Sequence, residues 1–197
     1  GISNAGLLDW DRPTPTVQLA EALRGFPRIM IAQVHGYCLG GALGIINCHD
    51  LVFAADDAQF GMPEILRGSF GQLVTSTLMH GSIPMKKVTL MQLVGKNISG
   101  EEADRWGVIS QSMPLAELED TVTEIARDIG DRHLAPLEHS KITVQMGRDL
   151  SMSQAIQLDQ LVGQRLRRAM DPLGDVESYL ESQKGGPNQK YKRPDVE

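Results

Sequence analysis

A glycine pair between a strand-like segment and a short run of small apolar residues constrains this chain more than any other feature. The strand-like segment Ile29–Val34 reads IMIAQV, and Gly40-Gly41 follows after five intervening residues. A short apolar helix and a second strand, Leu51–Ala55, are predicted next, in a strand–turn–helix–strand order. Such a turn directs backbone N–H groups to one point at a helix N-terminus, where they can stabilise an oxyanion.

A carboxylate closes the same segment, in the sequence Phe60-Gly61-Met62-Pro63-Glu64. On its own, a glutamate after a proline turn is more often a solvated surface group. Beside a turn that can stabilise an oxyanion, however, a carboxylate can move protons as a general acid/base. The two features together therefore indicate chemistry on a carbonyl compound.

The composition narrows the class of protein. The chain has 197 residues with 19 basic and 25 acidic side chains, and a net charge of −6, which argues against nucleic acid as a main partner. A hydrophobic content of 41% is typical of a globular protein with a real core. We find no apolar run of membrane-spanning length and no basic-then-apolar leader.

Cysteine and histidine usage bears on metals and on the compartment. Cys38 and Cys48 lie in apolar surroundings, which predicts buried free thiols in a reducing compartment, and we interpret the protein as cytoplasmic. The five histidines are scattered and there is no Cys-x-x-Cys, so no metal site is predicted.

The pattern along the chain divides at about residue 113. Residues 1–113 alternate strand-like and helix-like segments, whereas residues 114–197 are helical and end in a polar, Gly/Pro-rich tail. In the first region we predict helices at Val17–Phe26, Gln72–Met79 and Pro84–Leu93, a capping box at Ser99-Gly-Glu-Glu102 and a strand at Val108–Met113. In the second we predict helices at Leu115–Ile129, Pro136–Met146 and Ser151–Met170, and a last one from the Asp171-Pro172 cap to about Gln183.

The motif series resembles the enoyl-CoA hydratase/isomerase family, also called the crotonase superfamily. The resemblance implies an α/β fold of the crotonase (ClpP/crotonase-like) type, a spiral of ββα units with a C-terminal helical region that forms trimers, often dimerised to hexamers. It extends from about residue 20 to about residue 185. The residues that carry it are Ile31–Gly41, Cys48-His49-Asp50-Leu51, Ala54-Ala55-Asp56, Ala58–Ile65, Gly95-Lys96 and Ala103 with Gly107-Val108-Ile109.

The resemblance also implies a substrate and a site. The substrate would be an acyl-CoA thioester, with coenzyme A as part of the substrate and no separate cofactor. Gly41 matches one of two backbone N–H donors that hold the thioester oxygen as an enolate, and a glycine lets the backbone approach a ligand closely. Glu64 matches a general acid/base of the family.

Other positions match residues that contact substrate in the family. Gly40, Met62, Leu66 and Gln72 are candidate substrate-binding residues, with core packing as the alternative for Met62 and Leu66. Tyr179 and Lys184 fall near residues that touch CoA, often from a neighbouring subunit, and a solvated tail is the alternative there.

Two departures from the family pattern matter. The family's other N–H donor lies in a loop earlier in the chain, and Gly1 falls just past that loop, so we expect upstream residues in the functional molecule. The first of the two hydratase glutamates falls on Gly44, which favours single-carboxylate chemistry. Hydroxycinnamoyl-CoA hydratase-lyases also lack that glutamate, but the tyrosine of their active site falls on Leu158.

Alternatives to an enoyl-CoA hydratase or isomerase stay open. A thioester hydrolase, a decarboxylase or a C–C lyase could use the same base, and a degenerate CoA-binding subunit would need none. Histidines and an acid near the motif are interpreted as structural: His35, His49, His80 at a helix end, and Asp50 bonding backbone.

Overall fold

The computed structural model describes residues 14–81, 83–169 and 176–186. The chain forms two compact units, one of residues 1–26 and 30–120 and the other of residues 27–29 and 121–197. We call them the α/β unit and the helical unit and describe each by itself. The division predicted at residue 113 rests on sequence pattern alone and stays a prediction.

The α/β unit contains two three-stranded sheets in its described residues. One sheet has the order β1-β3-β6 with all neighbours parallel, and the other has the order β2-β4-β5, in which β2 and β4 are parallel and β4 and β5 antiparallel. The strands are β1 (Ile31–Val34), β2 (Tyr37–Leu39), β3 (Leu51–Ala55), β4 (Gln59–Gly61), β5 (Ile98–Ser99) and β6 (Gln111–Met113).

Five α-helices and a 3₁₀ helix connect these strands. Thr14 caps the first helix, because its hydroxyl accepts from Val17 N at 3.4 Å, and Ser99 caps the fifth through Glu102 N at 3.2 Å. The helices are α1 (Pro15–Arg24), α2 (Gly41–Ile46), α3 (Val74–Met79), α4 (Met85–Val94) and α5 (Gly100–Trp106), and the 3₁₀ helix is Pro63–Arg67.

The core of the α/β unit lies around β3, β4 and the short helices. Strand β3 is a nearly continuous apolar run that is buried from Val52 to Ala55, as expected for a central strand of a parallel sheet. The largest fully buried side chains are Phe60, Leu43, Met62, Leu78, Met91 and Leu118. The short turn-and-helix segments are therefore held by apolar packing, which fixes the backbone that the site uses.

The helical unit holds most of α6 (Leu115–Gly130), then α7 (Leu134–Gly147), α8 (Met152–Ala169) and α9 (Val176–Ser182). Helices α7 and α8 pack on each other. Lys141 is buried and its Nζ donates to the carbonyl oxygen of Arg28 at 2.8 Å, while the Arg28 guanidinium pairs with Glu138. None of the described helices combines the length and the apolarity that a bilayer crossing requires.

Most predicted elements are present, with shifted ends. The first helix begins at Pro15, earlier than predicted, because Thr14 supplies the cap, and the first strand begins only at Ile31. Two short strands, Tyr37–Leu39 and Gln59–Gly61, were not predicted, since their own residues show too little alternation to be recognised. The Asp171-Pro172 cap and most of the polar tail lie outside the described residues.

Candidate active site

The glycine turn joins β2 to α2 and is fixed by two backbone hydrogen bonds. Gly40 has φ 55° and ψ −124°, a conformation that side chains with a Cβ rarely adopt. Its N–H donates to the carbonyl oxygen of Gly61 at 2.9 Å, and Gly44 N–H donates to the Gly40 carbonyl oxygen at 3.2 Å. Gly41 is therefore the first residue of α2, it is exposed, and its N–H has no acceptor within the helix.

Glu64 is brought to this turn by the pairing of β2 with β4. The two strands are parallel, with Leu39 opposite Gly61, so the segments that follow them leave the sheet on the same side. Glu64 is the second residue of the 3₁₀ helix after β4. A Cβ built on Gly40 would lie 2.4 Å from Glu64 Oε1 and 3.1 Å from its Cδ, so the carboxylate packs directly on the Gly40 backbone.

The carboxylate of Glu64 is only partly satisfied by the protein. Glu64 is partly buried, and its Oε2 is shielded from solvent with no hydrogen-bond partner among the described residues. A buried polar oxygen without a partner is costly, which makes Oε2 a candidate for bonding a ligand or a reacting proton.

Position 44, one helical turn along α2, faces an apolar neighbour. Gly44 is buried, and a Cβ built on it would lie 3.3 Å from both Cγ and Cδ2 of Leu73 and 3.4 Å from Cγ2 of Val74. Leu73 itself has φ 69° and ψ −45°, the single positive φ among the described non-glycine residues. A bulky residue in such a conformation stores about 1–3 kcal/mol of strain. Sequence reasoning gave Leu73 no role, because nothing in the residues around it predicts this backbone conformation.

Two of the predicted substrate-binding residues lie on either side of Glu64. Met62 is fully buried, and its Cε lies 2.4 Å from a Cβ built on Gly71, so it packs beneath the loop before α3. Leu66 is 69% exposed and lies with Ile65 against Gly95. Met62 therefore packs in the core. The acyl-binding role of Met62 and Leu66 stays a prediction.

Gln72 is exposed and lies just before Leu73, close to the same turn. Its backbone N–H donates to the carbonyl oxygen of Phe70 at 2.8 Å. A substrate contact of Gln72, which we predicted only from its position, would therefore need a group other than this N–H.

Tyr179 and Lys184 belong to the helical unit, whereas Gly41 and Glu64 belong to the α/β unit. Tyr179 is about half exposed on α9, and its carbonyl oxygen accepts from Ser182 Oγ at 2.6 Å. Lys184 pairs with Glu181 on the surface. Their contact with CoA stays a prediction.

The remaining polar residues near the motif have structural partners. Asp50 Oδ2 accepts from Met30 N at 2.7 Å, His49 Nδ1 lies 3.1 Å from the carbonyl oxygen of Ile45, and His80 ends α3. Cys38 and Cys48 are buried free thiols. Across the described residues, no three histidine, cysteine or acidic side chains come together as in a metal site.

Comparison with known proteins places this fold and turn in a class. The chain belongs to the enoyl-CoA hydratase/isomerase family, whose model matches residues 11–186. Among particular relatives, it is 30% identical over 134 residues to a hydroxycinnamoyl-CoA hydratase-lyase of Pseudomonas fluorescens, covering 68% of this chain and 49% of that protein. It is also 30% identical over 142 residues to an (E)-benzylidenesuccinyl-CoA hydratase of Thauera aromatica, covering 72% and 56%. The chain thus spans about half the length of these curated relatives.

Solved structures agree on the fold. An enoyl-CoA hydratase/isomerase family protein from Silicibacter pomeroyi superposes with a TM-score of 0.73 at 27% identity, over 80% of this chain and 67% of that one. A probable enoyl-CoA hydratase/isomerase from Mycobacterium abscessus gives a TM-score of 0.80 at 21% identity, over 92% and 68%, which bears on the fold alone. The protein has the crotonase fold.

Proposed function

We propose that this chain carries one oxyanion donor and the acid/base residue of an acyl-CoA active site of the enoyl-CoA hydratase/isomerase type. The Gly41 N–H polarises the thioester carbonyl and holds the enolate oxygen, and Glu64 transfers the proton. Coenzyme A enters as part of the substrate, and no separate cofactor takes part in these steps. A backbone donor at a helix start suits this task, because it is already oriented before charge develops on the oxygen.

The observation that carries the proposal is the position of Glu64. Its Oε1 lies against the backbone of Gly40, the residue directly before Gly41, while Oε2 is buried and has no partner among the described residues. The oxyanion donor and the base are therefore adjacent, as abstraction of a proton α to a thioester carbonyl requires. A degenerate CoA-binding subunit would not need this arrangement.

The reaction we favour is proton transfer between carbons of an enoyl-CoA. One carboxylate suffices for that chemistry, since it can accept a proton from one carbon and return it to another. Position 44 offers no side chain that could be a second acid/base. Hydration guided by two carboxylates therefore ranks below isomerisation.

A second candidate, thioester hydrolysis or C–C cleavage, is favoured by the names of relatives. One is the hydratase-lyase from Pseudomonas fluorescens. Another is a (7aS)-7a-methyl-1,5-dioxo-2,3,5,6,7,7a-hexahydro-1H-indene-carboxyl-CoA hydrolase of Rhodococcus jostii, 29% identical over 51% of this chain and 38% of that protein. Both reactions need a base close to a polarised thioester, so Glu64 and Gly41 would keep their roles.

We also propose that the protein assembles as a homotrimer or a hexamer through the helical unit. Large apolar side chains of α7 and α8 are exposed within the single chain, among them Val144, Met152 and Leu161. Exposed apolar surface of this kind is typical of interaction sites. Light scattering of the purified protein measures the assembly directly.

Exchange of one carboxylate for an amide tests the site. We expect Glu64→Gln to lower turnover of vinylacetyl-CoA and crotonyl-CoA by about 10²–10⁴-fold, because the amide cannot accept the proton. Glu119→Gln, an exposed glutamate on α6, is the matched control and should keep wild-type rates. Undiminished activity of Glu64→Gln would show that the proposed mechanism is wrong. Release of free CoA or of a shortened acyl product would favour the second candidate.

A further inference from the structure

We infer that Leu73 is a specificity-determining residue that keeps water from the α2 face beside Glu64 and so favours proton transfer over hydration. The inference deepens the proposed function and rests on it. It concerns one contact, between Leu73 and the buried Gly44, that lies one helical turn from the carboxylate.

A polar side chain and an apolar side chain lie against neighbouring positions at the start of α2. Gly40 and Gly44 are joined by the first hydrogen bond of the helix, at 3.2 Å. The Cβ direction of Gly40 is occupied by the Glu64 carboxylate, and that of Gly44 by the end of the Leu73 side chain. Gly40 directly precedes α2 and this hydrogen bond joins it to Gly44, so Glu64 and Leu73 lie against neighbouring positions at the start of the helix.

Leucine is an unusual residue for the backbone conformation at position 73. A φ of 69° is a conformation that glycine adopts without strain and that leucine does not. Helix α3 holds this residue, because Thr77 N–H and Ser76 Oγ both donate to the Leu73 carbonyl oxygen at 3.0 Å. Since glycine would serve the backbone better, the reason for leucine lies in its side chain.

Helix α3 keeps that side chain in place against α2. Asn47 Nδ2, at the end of α2, donates to Thr77 Oγ1 on α3 at 3.1 Å. Val74, the first residue of α3, is fully buried and packs on Gly44 beside Leu73. The apolar contact is thus set by two fixed helices.

The preference for isomerisation follows from the lack of polar side chains around Gly44. In isomerisation, the C–H bond at the α-carbon breaks, its proton moves to Glu64, and Glu64 O–H then returns a proton to the γ-carbon as the double bond shifts. In hydration, a water oxygen must bond to the β-carbon while its proton reaches the α-carbon through Glu64. An ordered water needs two to four polar partners. Gly44, Leu73 and Val74 offer no side-chain partner, so the second reaction is disfavoured.

The test compares two reactions in one preparation of the full-length protein. The measured quantity is the ratio of kcat/KM for hydration of crotonyl-CoA to kcat/KM for isomerisation of vinylacetyl-CoA. Because both rates scale with the amount of folded enzyme, loss of stability alone leaves the ratio unchanged. We expect Leu73→Gly to raise the ratio about tenfold or more, the size of effect that removal of apolar pocket volume produces. Leu19→Ala, a half-exposed leucine on α1, is the control and should leave the ratio as in wild type.

A second pair of variants reads the contact without any turnover. Gly44→Ala should lower the thermal unfolding temperature in the wild-type background, since its Cβ meets Leu73 at 3.3 Å. The same substitution should cost less in the Leu73→Gly background. Equal costs in the two backgrounds, or an unchanged reaction ratio in Leu73→Gly, would overturn the inference while the proposed function stands. Absence of turnover of both thioesters by the wild type would overturn the proposed function, and this inference with it.

Discussion

The two units of this chain bury their apolar residues very differently. In the α/β unit, the described core extends from Ala20 to Leu118 and includes fully buried Phe60 and Leu43. In the described part of the helical unit, Val122 is the apolar residue that reaches comparable burial, whereas Met152 is 81% exposed. Apolar surface stabilises a fold only when it leaves water. The α/β unit therefore has a buried core of its own, whereas large apolar side chains of the described helical unit stay exposed within the single chain.

The helical unit also has specific polar contacts. Lys141 is the buried charged residue of the described chain, and its Nζ donates to the Arg28 carbonyl oxygen. A buried ammonium with a partner is tolerated, whereas one without a partner is strongly destabilising. One unit is thus held by a buried core, whereas the other combines individual polar contacts with apolar surface that the single chain leaves exposed.

The largest expected effect is the difference in unfolding free energy between two leucine-to-alanine variants, one in each unit. Leu43→Ala should lower the free energy of unfolding by about 2–5 kcal/mol, because Leu43 is fully buried and its removal leaves a cavity. Leu161→Ala, at a position 65% exposed, should cost about 0.5 kcal/mol or less at low protein concentration. Urea unfolding monitored by circular dichroism measures both.

Measuring the same two variants at several protein concentrations tests whether the helical unit is covered in an oligomer. If the helical unit is covered in an oligomer, the cost of Leu161→Ala should grow as the concentration rises, since association stabilises the folded chain by mass action. Similar costs for both variants at low concentration would contradict the contrast between the units.

A pH-dependent effect of intermediate size reports on the α/β unit alone, which contains both cysteines. Burial raises the pKa of the Cys38 thiol from 9.0 to about 11. The raised value means that the folded state holds this proton more tightly, so its contribution is fully present below pH 9 and is lost as the pH rises through about 11. Two pKa units correspond to about 2–3 kcal/mol.

Substitution isolates this contribution from other groups that titrate at high pH. The free energy of unfolding of wild type should fall more steeply between pH 9 and pH 11 than that of Cys38→Ala. Burial also raises the pKa of Cys48, with nearby Arg24 opposing the shift, so Cys48→Ala serves as a comparison. Parallel curves for wild type and Cys38→Ala would show that this thiol does not titrate with unfolding.

The sequence predicts the long secondary-structure elements better than it predicts the elements that depend on tertiary contacts. Long periodic segments were predicted well: the helix expected at Leu115–Ile129 is observed at Leu115–Gly130, and the capping box at Ser99 is formed. Strands β2 and β4 were missed, because they are recognisable only through their pairing with each other. Local pattern identifies long elements, whereas short ones depend on partners distant in the sequence.

The site shows the same division. The Gly40-Gly41 turn and Glu64 could be proposed from sequence, because glycine conformation and a nearby carboxylate leave a local signal. The contact of Leu73 with Gly44 could not, since nothing in the residues around position 73 predicts a leucine with positive φ. The contact itself depends on the packing of α3 on α2, which is tertiary information.

The smallest expected effect compares one helix cap in each unit. Ser99 Oγ accepts from Glu102 N at 3.2 Å at the start of α5, and Ser151 Oγ accepts from Gln154 N at 3.4 Å before α8. Each serine-to-alanine change should cost about 1 kcal/mol locally. The consequences differ, because Ser99 also pairs with Gln59 in the β2-β4-β5 sheet. Ser99→Ala should therefore lower hydrogen-exchange protection across that sheet, whereas Ser151→Ala should affect only the first turns of α8. Loss of protection across the helical unit in Ser151→Ala would instead mean that this unit unfolds as cooperatively as the core of the α/β unit, and that individual contacts couple its helices more tightly than their burial indicates.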